Sequence, residues 1–100
     1  MAYTIGKPKL QYLDVYVEGQ KRPKRVPLAG SLPAPWLIRY NKVSQMPEEQ
    51  RGAGYFEFFY DLFRAYIGEQ VDAMTSEQIN QLAEAWGDVT EDEQGANPGE

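Results

Sequence analysis

The sequence predicts an α+β fold: an N-terminal β-hairpin, then three α-helices, then a disordered acidic C-terminal tail. Three observations predict it. Leu13, Val15 and Val17 alternate with Tyr12, Asp14 and Tyr16, the period of two of a half-buried strand. Apolar residues between Trp36 and Trp86 instead recur at helical spacing, in runs separated by proline, glycine or a capping motif. From Asp88 onward the chain is acidic, with Gly95, Pro98 and Gly99 and only Val89 and Ala96 apolar, too little to bury and order itself.

Each element has its own reason. Glu18-Gly19-Gln20 is a turn signal after the first strand, and Lys21-Arg22-Pro23-Lys24-Arg25 is a basic loop. Arg25-Val26-Pro27-Leu28 returns as a short edge strand, because Pro27 has no donor for a ladder. The hairpin therefore covers about 11–28. Ser31 is the expected cap of a first helix at about 32–44, with Pro33 and Pro35 in its first turn. Trp36, Tyr40 and Val43 form its apolar stripe at i, i+4 and i+7. Pro47-Glu48-Glu49 opens a second helix at 48–67, its acids beside the positive end of the helix dipole. Gly52 and Gly54 are expected to weaken, bend or break its early part, and Gly68 to stop it. Thr75-Ser76-Glu77-Gln78 is a capping box for a third helix at 76–86, which Gly87 closes. Residues 1–87 thus read as a single small domain and 88–100 as the tail.

Composition narrows the chemistry. Within 100 residues, 42% are hydrophobic and 25% charged, an ordinary globular balance. There is no cysteine and no histidine, which excludes disulfides, thiolate nucleophiles, zinc sites built on those ligands and imidazole bases. No catalytic motif, phosphate loop or metal-ligand spacing occurs, so the reading is a non-enzyme with no cofactor and no metal. No apolar run reaches the length of a membrane span or the core of a secretory signal. The net charge of −5 conceals an asymmetry. Residues 1–50 hold eight basic and four acidic side chains, residues 51–100 two basic and eleven acidic. Such a split favours internal attraction or polar assembly, and the acidic half argues against nucleic acid.

Four features bear on function. The segment Tyr55–Ile67 is apolar over an arc of roughly 220°, against the ~100° stripe that a surface helix needs. Such a helix is either the sandwiched centre of its own core or one that offers a second face to a partner. On the second reading the partner-binding residues are Phe58, Leu62 and Ala65, with Tyr55 and Trp36 beside them. That reading requires Phe58→Asp or Leu62→Asp to abolish binding without unfolding the domain. The basic loop Lys21–Arg25 reads as a phosphate patch, as an address signal or as a solvated hairpin tip, the commonest case. The second and third helices have the outline of a helix-turn-helix, but the third offers no basic residue to base edges. Carboxylates at Glu57 and Asp61, and at Glu91-Asp92-Glu93, read as solvated surface.

Three stretches resemble the short tail assembly chaperones of long-tailed bacteriophages and prophages, the actinobacterial-host type above all. They are Tyr12-Leu13-Asp14-Val15 with Val26–Pro33, Phe59–Gly68, and Met74–Trp86 with its acidic tail. The aromatic run from Tyr55 and the Lys21–Arg25 loop have no counterpart in that pattern. The resemblance implies a non-catalytic protein that binds the tape measure protein and keeps it soluble during tail morphogenesis. It further implies a place in the cytoplasm of the bacterial host, absence from the mature virion, and a longer product made by ribosomal frameshifting. The tail tube protein is a further partner on this reading, and self-association stays open. The competing expectations are a minor structural or connector protein retained in the virion, and a small nucleic-acid-binding regulator.

Overall fold

The computed structural model describes residues 2–6 and 10–95, with the backbone alone at 91–95. The architecture is a two-stranded antiparallel hairpin followed by three helices, as the alternation and helical spacing predict.

Strand β1 (Tyr12–Val15) pairs with β2 (Lys24–Pro27), Leu13 opposite Val26 and Asp14 opposite Arg25. Gly19 takes φ +87° in the turn, a conformation that strains any residue with a Cβ. The Asp14–Arg25 ion pair, at 3.4 Å, is solvent-exposed on both sides and contributes at most about 1 kcal/mol. Burial supplies the larger force, since Val26, Pro27 and Leu28 all lie under the helices.

The chain then makes a 3₁₀ turn at Ala29–Ser31 before α1 (Ala34–Ser44). Ser31 does not cap α1. Its Oγ instead accepts the Gln11 amide at 2.7 Å, tying the turn back to the hairpin. Pro33 holds the cap position without a side-chain bond, and Pro35 removes one of the amides that a cap would serve.

Helix α2 (Glu48–Ile67) runs twenty residues without a break, so the expected interruption at Gly52 and Gly54 does not occur. Gly54 serves packing instead. A Cβ there would stand 2.9 Å from Val43 Cγ1 and 3.0 Å from Met46 Sδ, so the missing side chain lets α1 approach α2 closely. Gly68 ends the helix at φ +114°. A second 3₁₀ segment, Glu69–Ala73, returns Val71 to the core. The capping box forms in both directions. Gln78 N–H donates to Thr75 Oγ1 at 3.1 Å, and Thr75 N–H donates to Gln78 Oε1 at 2.9 Å.

Helix α3 (Ser76–Gly95) passes through Gly87 and continues beyond the expected end at Trp86. A glycine costs a helix interior about 1 kcal/mol relative to alanine, and flanking turns with good helix formers outweigh that. The remainder of the expected tail, 96–100, lies outside the described residues.

Helix α2 is the centre of the molecule. Its neighbours are β2, α1, the second 3₁₀ segment and α3. Phe58, Leu62 and Phe63 are fully enclosed, with Val26, Val71, Ile79 and Trp86 around them. Among the described residues no helix is long and apolar enough to cross a membrane.

Candidate functional site: an apolar groove between the first and third helices

The wide apolar arc of α2 is taken up inside the molecule. On one side, the Trp36 ring meets Phe58 edge-on at 6.0 Å and the Tyr40 ring meets it at 5.4 Å. On the other, Phe59 meets Trp86 edge-on at 5.3 Å and stacks with Phe63 at 5.7 Å. Such ring pairs add about 0.5–1.5 kcal/mol each beyond the area they bury.

This corrects the expected partner-binding shoulder. Phe58 and Leu62 are both 0% exposed and present nothing to another chain. The wheel gave the breadth of the apolar arc correctly but not what covers it, because α1 and α3 clasp α2 from both sides. Ala65 is exposed, while Trp36 and Tyr55 are half-buried against α2 and Tyr40. These five residues do not form one accessible patch.

The polar face of α2 is used for tying elements together. Arg39 of α1 pairs with Asp61 at 2.5 Å and with Glu57 at 3.5 Å. Arg64 pairs with Asp72 at 3.0 Å, and the Tyr60 hydroxyl donates to the same carboxylate. Asp72 is held below the usual carboxylate range by the hydrogen bond from Arg64 and then by that from Tyr60. The Tyr60 hydroxyl is pushed up, chiefly because its proton is committed to Asp72.

Large apolar side chains are accessible elsewhere: Tyr3, Ile5 and Leu10 ahead of the hairpin, Tyr16 after β1, and Leu37 and Ile38 on α1. Leu37 is 42% exposed and Ile38 57% exposed. Leu37 forms one wall of a groove of about 280 Å³ lined by Ala29, Leu32, Leu37, Tyr40, Trp86, Gly87 and Thr90. The groove is thus built from the first 3₁₀ turn, one side of α1 and the middle of α3. Its floor is rigid. Trp86 is buried, and its indole N–H donates to the Pro27 carbonyl at 2.8 Å. The Ala29 amide donates to Thr90 Oγ1 at 3.4 Å and holds the turn against α3. Burial raises the Tyr40 phenol's pKa, and the neighbouring Tyr55 raises it further. At Gly87 a Cβ would meet no atom within 4 Å beyond its chain neighbours and its own helix backbone, so the position faces open space.

Two other hollows lie among the described residues. One of about 390 Å³ between α1 and α2 has Arg39, Lys42 and Glu57 in its walls, and Arg39 and Glu57 already pair across it. One of about 310 Å³ under the hairpin is bounded by Val15, Val17, Met74 and Leu82. Among the described residues no polar or charged side chain is buried, and no group of three or more His, Cys, Asp or Glu is placed to hold a metal ion.

The Leu37–Ile38 face is missing from the sequence reading. Its signal was available, since both residues are apolar and fall outside the Trp36–Tyr40–Val43 stripe. The groove could not be read, because it depends on how α1 and α3 both pack against α2. No protein-family model matches the chain, and neither a curated protein nor a solved structure matches it.

Proposed function

We propose that this chain is a non-catalytic binding protein, a tail assembly chaperone of a long-tailed bacteriophage or prophage, whose client is the tape measure protein. The observation that carries the binding part is the apolar groove floored by Trp86 and walled by the exposed Leu37, with Ile38 exposed next to Leu37 on α1. A preformed apolar groove with a rigid floor suits the apolar stripe of a client helix, with little ordering cost to the chaperone. The client identity rests on the resemblance of Tyr12–Val15 with Val26–Pro33, of Phe59–Gly68 and of Met74–Trp86. The chaperone acts in the host cytoplasm and leaves before the virion matures. It holds client stripes out of water until tail tube subunits replace it.

Co-expression tests this reading. A tape measure protein from the same gene cluster should be recovered soluble with the wild-type chain. It should precipitate with Leu37→Asp/Ile38→Asp, whose exposed positions leave the core intact. A second variant, Gly87→Leu, fills the groove from open space and should fail in the same way. A client that stays soluble with both variants, each folded by circular dichroism, overturns the reading. Recovery of the chain in purified virions would favour a retained tail component instead.

A further inference from the structure

We infer that the groove selects a helix whose apolar stripe is flanked by lysine or arginine, because one rim of the groove is acidic and the other is uncharged.

The two walls differ in kind. The α1 wall offers Leu37, with Ile38 exposed beside it. The α3 wall offers Gly87 and Thr90, and the next row around the same helix is Glu84 and Asp88, one turn apart. Both carboxylates are exposed. Among the described residues neither has a cation within ion-pair distance. From Ser76 to Gly95 the helix contains no lysine or arginine. Among the described residues the cations are placed away from this rim: Arg25 pairs with Asp14, Arg51 donates to the Met46 carbonyl, and Lys42 lines the hollow between α1 and α2. Arg39 is committed to Asp61 and Arg64 to Asp72, and Lys21, Arg22 and Lys24 lie in and beside the hairpin turn.

Gly87 adds the steric half of the inference. Gly54 is required by the close approach of Val43, and Gly68 and Gly19 by positive φ. Gly87 meets none of these needs, yet it sits mid-helix on the α3 wall of the groove with open space before it. A bare backbone there admits a second helix close to α3. Its flanking side chains then lie within reach of Glu84 and Asp88. Lysine or arginine in those positions gains charge-assisted contacts at the rim, while glutamate meets like charge.

This inference rests on the groove being a client site, and the experiment separates the two. Two synthetic amphipathic helices of about 20 residues, roughly 30 Å long, carry the same leucine stripe. One is flanked by lysine and the other by glutamate. Binding to the full chain is followed by fluorescence anisotropy. The lysine-flanked helix should bind about tenfold tighter at low salt, the sum of a few rim ion pairs. The difference should shrink near roughly 0.5 M salt and reverse in Glu84→Lys/Asp88→Lys. Equal binding of the two helices, or a preference unaltered by the double substitution, overturns the charge selection and leaves the groove reading in place. Binding of neither helix overturns both.

Discussion

The Trp86 indole N–H donates to the Pro27 carbonyl at 2.8 Å across fifty-nine residues of chain, in a buried setting. This bond fixes α3 to the end of β2 and so sets the floor of the groove. Pro27 lacks a donor, but its carbonyl still needs a partner once buried, and Trp86 supplies it. Trp86→Phe preserves most of the ring contact with Phe59 and leaves that carbonyl unpaired. The expected cost is about 1–3 kcal/mol, or a Tm lowered by at least about 4 °C in a domain of this size. Differential scanning calorimetry measures it, and an unchanged Tm contradicts this role for the bond.

Two helical glycines should respond oppositely to alanine. At Gly87 the added methyl meets open space, so Gly87→Ala should stabilise the fold by about 0.8–1 kcal/mol through helix propensity. At Gly54 it would stand 2.9 Å from Cγ1 of Val43, a buried, β-branched side chain with little freedom to move. Gly54→Ala should therefore destabilise by roughly 1–3 kcal/mol despite the same propensity gain. Urea unfolding of both variants decides the matter. Equal signs would contradict the packing assigned to Gly54.

Leu62 and Phe58 should behave as core residues. Leu62→Ala is expected to cost about 2–5 kcal/mol. Leu62→Asp and Phe58→Asp should unfold the domain, since a carboxylate at a fully buried site has no partner there. Far-ultraviolet circular dichroism and gel filtration report the outcome. A folded Leu62→Asp with client binding lost would restore the α2 shoulder as the binding surface.

Acid should loosen the link between α2 and the second 3₁₀ segment. Asp72 is held below its ordinary value of 3.8 by Arg64 and Tyr60. A lowered folded-state pKa means that these contacts stabilise the fold above that ordinary value. Their contribution is lost as the pH falls through the lowered pKa. Asp72→Asn removes the titrating group, so its stability should fall less than wild type below about pH 4. Identical acid limbs for the two proteins contradict the assignment.

Much of the fold was legible because local signals agreed with the global arrangement. Thr75 and Gln78 announce a capping box and form it, Leu13 and Val15 announce a strand, and Gly68 ends α2 as a positive-φ glycine should. Four of the failures share one physical origin. Ser31, Gly54, Phe58 and Leu62 were each read from their neighbours in sequence, and each is decided by something distant. Ser31 is claimed by Gln11, Gly54 by Val43, and Phe58 by Trp36 and Tyr40. The groove belongs to the same class, since Leu37 becomes its wall and Trp86 its floor only when α1 and α3 both pack on α2. Helical periodicity gives the width of an apolar arc but not which part of it the rest of the chain covers.

The most direct test of the account follows the groove itself. Amide and indole resonances of the labelled chain are recorded while an apolar helical segment of the tape measure protein is added. Shifts should concentrate at Leu32, Leu37, Ile38, Gly87, Thr90 and the Trp86 indole, with the hairpin turn and the Arg64–Asp72 pair unchanged. Shifts confined to the hairpin turn or the hollow between α1 and α2, or no shifts at saturating segment, would contradict it.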